Sequence, residues 1–281
     1  MTGGLGTTPQ GAPVRTGTHG RAAGAYGAAF AAAAGRVLRR PGELAVRLLF
    51  YVVILVVFAA LWSAAAAATG GQIAGYSAAG LLWYVTVAEG AVIATKPRLI
   101  EDIGVDIGTG AVATEMLRPV SVLWLRLASE LGEAAVRLAL ALAIGTAFTW
   151  AMVGAPPAGA ATPLALPSAA LAVAANLAAQ HAFAGAAFWL SDAKATWFLY
   201  QKLVFLLGGM LLPLQLFPAW LERVAWVLPF WTMAYAPARL AAGTPAQPWL
   251  LAAQAAWLVV LAGAAAVVFR AGERHLEVAG G

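Results

Sequence analysis

Six long apolar segments constrain this chain more than any other feature of its sequence. A helix that crosses a membrane needs roughly 20 mostly apolar residues. Candidates of about that length or longer lie at about 44–67, 73–95, 120–152, 164–190, 196–215 and 248–269. A soluble protein is about half apolar and a quarter charged, whereas this 281-residue chain is 62% hydrophobic and 10% charged. We therefore predict an all-α integral membrane protein with six transmembrane helices.

The basic residues predict its orientation. Most lie before the first apolar segment, after the second and fourth, or at the C-terminus: Arg15, Arg21, Arg36, Arg39, Arg40, Arg47, Lys96, Arg98, Arg118, Arg126, Lys194, Lys202, Arg270 and Arg274. The turns near Gly70 and Ala155 carry none. Because Lys and Arg concentrate on the cytoplasmic side, both termini should be cytoplasmic. The net charge of +5, placed between apolar segments, favours contact with membrane lipid and not with nucleic acid.

The N-terminal region divides into two parts. Residues 1–25 are rich in Gly, Thr and Pro without periodicity, so we expect a disordered cytoplasmic tail. The first strong apolar run starts only near Leu44, too late for a signal peptide. From about Tyr26 to Arg40, apolar and basic residues alternate in a pattern typical of an interfacial helix. A plain cytoplasmic segment fits equally well.

The connection between the second and third segments predicts a helix that a partner could contact. Apolar residues recur every fourth position, with acidic residues on the adjacent stripe: Leu99, Ile103 and Ile107, then Asp102 and Asp106. Such a helix is amphipathic. A break at 108–110 and a second short helix over about 111–117 should follow. The pair suits docking into a groove on a soluble protein, but a solvated loop helix resting on headgroups has the same pattern.

The third apolar segment is too long for a bilayer. Over 120–152 it would reach about 50 Å, against a hydrocarbon core of about 30 Å. Its first half carries two pairs with i, i+4 spacing, Arg126–Glu130 and Glu133–Arg137. Such pairs stabilise a helix. This half should project into the cytosol or line a wet inner cavity, unless its charges only snorkel to the headgroups.

Polar residues inside the spans are candidates for the lining of a transport path. A carboxylate at the bilayer centre costs about 2.5–3.5 kcal/mol, so Glu89 should face protein or water. Asn176 and Gln180 lie four residues apart on one helical face. They could line a path, although hydrogen bonds between helices are the commoner use of such residues. The candidate pathway residues are therefore Glu89, Glu133, Arg137, Asn176 and Gln180.

The fifth apolar segment is followed by two short apolar pieces. Gly208, Gly209 and Pro213 interrupt the chain, and the pieces at about 218–227 and 229–240 are too short to span a membrane. Four aromatic residues suit the outer interface: Trp220, Trp226, Trp231 and Tyr235. Two helices that re-enter the outer leaflet would explain the pattern, as would an outer loop on lipid.

Signatures of soluble enzymes are missing from the sequence. It contains no G-x-x-x-x-G-K-[ST] phosphate loop and no cysteine. Its three histidines, His19, His181 and His275, lie far apart. We predict no metal site and no catalytic residues. A polytopic membrane enzyme would need clustered acid, base or metal ligands, and a secondary transporter would be expected to show inverted repeats; neither pattern is evident.

Two ordered motifs resemble the ABC-2 type transporter permeases of bacteria. Met116-Leu117-Arg118-Pro119 matches a Leu-Leu-Arg-Pro-like motif in the connection between spans two and three of that family. About 90 residues later, Gly208-Gly209 and Pro213 are followed by Leu216 to Leu221 and by Leu228-Pro229-Phe230. This order is similar to the family's Gly-Gly, Pro, Phe-Pro-x-Trp-Leu and Leu-Pro-Phe run.

The resemblance implies a permease domain over 26–281 with a cytoplasmic coupling helix and outer re-entrant helices. Carried over by position, the coupling region would comprise Ile103, Asp106, Gly108, Glu115, Leu117 and Arg118. The outer re-entrant gate would comprise Pro218, Trp220, Leu221, Pro229 and Phe230.

The resemblance also implies partners and a location. The permease would work with a dimeric ABC ATPase subunit, which would bind ATP and Mg while this chain binds no cofactor. A second permease, identical or related, would complete the pathway in the bacterial inner membrane. We expect an exporter; the alternative is a secondary active transporter of a small amphipathic molecule.

Overall fold

The computed structural model describes residues 18–157, 161–190, 192–245 and 247–279. These residues form eleven α-helices: α1 Thr18–Leu38, α2 Pro41–Ala68, α3 Ala78–Ile93, α4 Leu99–Gly108, α5 Ala111–Met116, α6 Val122–Val153, α7 Ala165–Ala184, α8 Ala193–Leu207, α9 Ala219–Val227, α10 Tyr235–Ala241 and α11 Trp249–Ala279. Short 3-10 helices lie at Thr162–Leu164, Gly185–Phe188, Leu214–Leu216 and Pro229–Thr232. The predicted all-α class is confirmed.

One small hairpin is the exception to helical structure among the described residues. Strands β1 (Gln72–Ile73) and β2 (Tyr76–Ser77) pair antiparallel, with Ile73 opposite Tyr76. The two turn residues, Ala74 and Gly75, have φ angles of 49° and 82°. Two positive φ angles are what a two-residue hairpin turn requires. The hairpin connects α2 to α3.

Four helical segments among the described residues are long and apolar enough to cross a membrane: Pro41–Ala68, Val122–Val153, Thr162–Phe188 and Trp249–His275. The predicted second span is shorter than expected, because the hairpin occupies its start and leaves α3 with 16 residues, about 24 Å. The fifth is shorter because α8 stops at Leu207 after 15 residues, where Gly209 turns the chain with φ 64°. The count of six spans therefore stays a prediction.

Helix α1 begins earlier than predicted and packs against α6. Residues 1–17 of the predicted disordered tail lie outside the described residues, but residues 18–25 are helical, so the tail prediction is wrong for them. At the contact, a Cβ on Gly132 would lie 2.2 Å from the backbone oxygen of Phe30. Ala33 is fully buried. This packing makes α1 part of the helical bundle, and its position in the membrane interface stays a prediction.

Helix α3 lies at the centre of the bundle. Every residue from Gly80 to Ala91 is buried, so α3 forms the core around which the longer helices pack. Tyr51 of α2 donates a hydrogen bond of 2.7 Å to the carbonyl oxygen of Thr86. The hydroxyls of Thr86 and Thr149 are 2.6 Å apart. These contacts join α2, α3 and α6 at one level of the bundle.

The two short helices after α3 occur where the sequence predicted them. Helix α4 buries Leu99, Ile103 and Ile107, as the four-residue spacing predicts. It runs so close to the start of α8 that a Cβ on Gly104 would lie 2.2 Å from the Cβ of Ala193. Gly110, with φ 76°, then reverses the chain into α5. The role of these helices in coupling stays a prediction.

Candidate functional site

A central cavity of about 560 Å³ lies between α2, α3, α7 and α8. Glu89, Asn176 and Gln180, three of the five residues predicted to line a path, meet on its wall. Much of the remaining lining is apolar or aromatic, including Phe50 and Ile54. A mostly apolar wall with a few convergent polar groups is the usual composition of a site for a small molecule.

The amide pair on α7 is held by a hydrogen-bond network. Gln180 Nε2 donates to Asn176 Oδ1 at 3.0 Å, and the Tyr200 hydroxyl of α8 donates to the same oxygen. Asn176 Nδ2 lies 3.5 Å from the hydroxyl oxygen of Thr95, which it can reach as a donor. The amides therefore connect helices and line the cavity at once, so the two interpretations of the sequence are compatible. Tyr200 was not predicted, because a tyrosine within an apolar segment has no distinguishing pattern.

Glu89 is the buried carboxylate of the central cavity. Only 6% of its surface is exposed. Within the described part of the chain it forms no hydrogen bond or ion pair. A buried charge without a partner is expensive, so this carboxylate is not explained by packing. Glu89 lines the central cavity, where water or a ligand could reach its carboxylate.

Glu133 and Arg137, the other two predicted pathway residues, line a neighbouring basic cavity and not the central one. Their predicted pair is present, with Arg137 Nη2 donating to Glu133 Oε2 at 2.6 Å. Lys96 and Arg47 line both cavities, so the two adjoin. Burial alone would lower the pKa of Lys96, but the carboxylates of Glu130 and Glu133 outweigh it and raise that pKa. Lys96 is therefore charged at the junction.

The predicted Arg126–Glu130 pair is wrong. Glu130 instead accepts a hydrogen bond of 2.8 Å from Lys96. Arg126 of α6 reaches two carboxylates of the preceding helices: its Nε donates to Glu115 Oε2 and its Nη1 to Asp106 Oδ2, each at 2.8 Å. Two carboxylates that arrive from α4 and α5 outcompete one on the same helix. We call Arg126, Asp106 and Glu115 the Arg126 cluster; it fastens both short helices to α6.

The remaining residues of the predicted coupling region divide between interior and surface. Ile103 is 2% exposed and packs inside the bundle. Leu117 is 86% exposed, and Arg118 beside it is also exposed. Gly108 is exposed, with no atom within 4 Å of a Cβ placed on it. Of the predicted coupling region, Gly108, Leu117 and Arg118 therefore lie on the surface, whereas Ile103 on the apolar face of α4 is buried; a contact with a partner stays a prediction.

The residues predicted to form the outer gate lie on two differently placed elements. Pro218 precedes α9, where Trp220 is 67% exposed and Leu221 is half-buried. Pro229 begins a 3-10 helix whose Phe230 is 4% exposed. The structure therefore has one surface helix followed by one buried segment, and their position in a membrane leaflet stays a prediction.

Two of the aromatic rings expected at the outer interface are buried. Trp231 is 3% exposed and Tyr235 is fully buried. They form a cluster with Trp226 and Trp249, in which the ring centroids of Trp226 and Trp231 are 4.8 Å apart. Aromatic contacts at such distances stabilise a fold. Trp231 packs against Trp249 at the start of α11, and Tyr235 packs against Trp226 and against Tyr84 of α3. The position of these rings at the outer interface stays a prediction.

Within the described residues, no three His, Asp or Glu side chains lie close enough together to hold a metal ion. His181 is fully buried in α7. Its Nδ1 lies 2.8 Å from the carbonyl oxygen of Leu177. This ring therefore has a structural contact in its own helix.

Comparison with known protein families identified a match. The family model described as ABC-2 family transporter protein matches residues 44–280, which cover α2 to α11. A comparison with curated proteins and another with solved structures each gave no match.

Proposed function

The chain belongs to the ABC-2 family of transporter proteins, and we propose that it is the membrane subunit of an exporter that a separate ATPase subunit drives. The family and the apolar helices support a multi-pass membrane permease of an ABC transporter. Our proposal adds four properties: the ATPase partner, the export direction, the cytoplasmic position of both termini and the pairing with a second permease.

The Arg126 cluster is the observation that carries the proposal. Arg126 spans from α6 to carboxylates on both α4 and α5, and its side chain is 16% exposed. Charge-assisted pairs with bidentate geometry are the strongest of protein hydrogen bonds. A force applied to α4 and α5 by a soluble partner would therefore pass to α6 without being absorbed by a flexible loop.

Helix α6 has the length to carry that motion to the cavity. Its 32 residues reach about 48 Å. Beyond the Arg126 cluster, Thr149 contacts Thr86 of α3, and Gly145 lies against Tyr51 of α2. Helices α2 and α3 form walls of the central cavity. A displacement of α6 would thus change the walls around Glu89, which is alternating access powered by a partner.

The cavity chemistry suggests the cargo. Its lining combines apolar rings with Glu89 and the amides of Asn176 and Gln180, so an amphipathic molecule would bury its apolar part and satisfy its polar part. ATP and Mg would bind only in the partner subunit. The buried second segment of the outer region, which includes Phe230, would restrict access from outside.

The direct test is purification of the tagged chain in mild detergent, with mass spectrometry of the proteins that co-purify and an ATPase assay. We expect a soluble ATPase in the wild-type sample. Leu117→Ser should remove it, because Leu117 is the most exposed apolar side chain of the predicted docking surface.

Val227→Ser is the matched control, since Val227 is 73% exposed but lies on α9, on the predicted outer side. It should leave the ATPase bound. A stable protein that never retains an ATPase would refute the proposal, and equal loss in both variants would refute the assignment of the docking surface.

A further inference from the structure

The basic cavity has a composition that the proposed transport function does not use. It encloses about 310 Å³ where α1, the start of α2 and the first half of α6 meet the connection after α3. Nine residues line it, of which five are cationic and two are carboxylates. The cations are Arg36, Arg40, Arg47, Lys96 and Arg137. The lining therefore carries an excess of three positive charges.

Glu130, which is outside the lining, pairs with Lys96 at 2.8 Å, but even with it three carboxylates face five cations. Glu133 alone contacts three of them, with distances of 3.3 Å to Arg36, 3.2 Å to Lys96 and 2.6 Å to Arg137. The other carboxylate of the lining, Glu43, lies 3.9 Å from Arg40 in an exposed pair, and such pairs contribute little.

Arg47 is fixed by neutral groups. Its Nη1 donates to the carbonyl oxygens of Ile93 and Thr95, at 2.9 Å each. These bonds hold the guanidinium in place without cancelling its charge. The positive charge of the cavity is therefore built into the fold, since a side chain bound at the end of α3 cannot move away from it.

Arg137 provides the clearest sign of a missing ligand. Its side chain is 8% exposed. Its Nη1 is buried and has no hydrogen-bond partner among the described residues. Buried donors are almost always paired, and a guanidinium presents its N–H groups in a geometry that matches phosphate oxygens. An anionic oxygen in this cavity would satisfy the free donor and offset the excess charge.

The surroundings identify the source of the anion. Helix α2 leaves the cavity with four exposed apolar side chains in its first turns, Val46, Leu49, Phe50 and Val53, each 49–65% exposed. A basic site that continues into an exposed apolar surface has the two-part character of a phospholipid. We propose that the basic cavity binds the phosphate of an anionic phospholipid, whose acyl chains lie along α2. This inference does not depend on the ATPase partner.

The test uses the full-length chain, delipidated in detergent, and measures the midpoint of thermal unfolding together with lipid retention by native mass spectrometry. Phosphatidylglycerol should raise the midpoint and remain bound, since a ligand of the folded state stabilises it. Phosphatidylcholine and inorganic phosphate, at the same concentration, should each produce less than about a third of that shift, because one lacks the net charge and the other the acyl chains.

Two variants and one control locate the site. Arg137→Gln should weaken phosphatidylglycerol binding about tenfold or more, and Arg40→Gln about threefold, in proportion to their burial. Because Arg40 is exposed, its replacement should not affect folding. Arg39→Gln removes the same charge from the adjacent exposed residue, which is outside the cavity, and should bind as the wild type does.

Equal weakening by Arg39→Gln and Arg40→Gln would overturn the site in favour of diffuse surface attraction. A shift with inorganic phosphate as large as that with phosphatidylglycerol would overturn the lipid as the source. An unchanged midpoint with every probe would overturn the proposal as a whole, while leaving the transporter assignment untouched, because no ATPase takes part in the measurement.

Discussion

At the scale of single residues, glycines decide where helices can approach. A Cβ on Gly145 of α6 would lie 2.1 Å from the hydroxyl oxygen of Tyr51. That hydroxyl donates the hydrogen bond that joins α2 to α3. A glycine within a helix usually lowers its stability, and here the absence of a side chain allows the close approach of Tyr51.

Gly145→Ala should therefore lower the free energy of unfolding by about 1–3 kcal/mol, the usual effect of overpacking. Gly263→Ala is the matched control, because Gly263 also lies within a long helix, α11, but has no atom within 4 Å of its Cβ position. It should be neutral or stabilising. Thermal unfolding in detergent compares the two, and equal effects would contradict the packing argument.

Glu89 is a buried carboxylate for which the described residues provide no hydrogen bond or ion pair. Replacing it by Gln keeps its shape and removes the charge that burial disfavours. Glu89→Gln should leave the unfolding midpoint unchanged or higher, and should reduce transport by about tenfold if the carboxylate contacts the cargo, in line with the loss of one charged hydrogen bond.

The effect on transport is measured in proteoliposomes that also contain the proposed ATPase partner. Glu43→Gln is the control with the same charge change at an exposed position. A lowered midpoint with intact transport would assign Glu89 to the fold and not to the path.

At the scale of elements, the short helices α4 and α5 depend on one side chain from α6. Arg126→Gln would leave Asp106 and Glu115 without their cation, and charged hydrogen bonds of this kind contribute about 1.5–3 kcal/mol. We expect faster amide exchange over 99–116 and a loss of transport, with the central cavity helices still protected. Hydrogen–deuterium exchange with mass spectrometry measures this directly.

Arg118→Gln removes an exposed arginine near the same helices and separates the two roles. It should leave amide exchange unchanged and affect only the partner contact. If both variants loosened α4 and α5 equally, the Arg126 cluster would not be the fastening point.

At the scale of the whole molecule, the orientation predicted from Lys and Arg can be measured because the chain has no cysteine. Leu117→Cys and Val227→Cys introduce single thiols at exposed positions, 86% and 73%. In intact cells, a membrane-impermeant maleimide should label only Val227→Cys, and Leu117→Cys should react after permeabilisation. Labelling of Leu117→Cys in intact cells would contradict the predicted topology, because it would place the predicted coupling region outside the cytoplasm.

Much of the fold could be predicted because its signals are local. Apolar segment length identified the helices α2, α6, α7 and α11, since hydrophobicity along one helix needs no partner to be recognised. The four-residue spacing of Leu99, Ile103 and Ile107 identified a buried helix face for the same reason. Helix ends were less predictable: α3 and α8 are shorter than their apolar segments because a hairpin and a Gly-Gly turn occupy the ends.

The sequence predicted polar residues of the central cavity but not most of the cations of the basic cavity. Glu89, Asn176 and Gln180 were found because a polar side chain within an apolar segment is conspicuous. Arg36, Arg47 and Lys96 were not, since basic residues beside a span are expected for topology alone. Only their convergence on one cavity, from two helices and the connection after α3, distinguishes them.

By itself the sequence determined that this is a membrane protein, that it is helical and which family it resembles, because these follow from composition, periodicity and short motifs. Of the two ion pairs predicted from i, i+4 spacing, Glu133–Arg137 is present, but the remaining partners of these charges were decided by the tertiary structure. Arg126 pairs with Asp106 and Glu115 and not with the predicted Glu130. Glu133 contacts three cations. The physical reason is that the energy of an ion pair depends on distance in space, and packing brings together residues that the sequence places up to about a hundred positions apart.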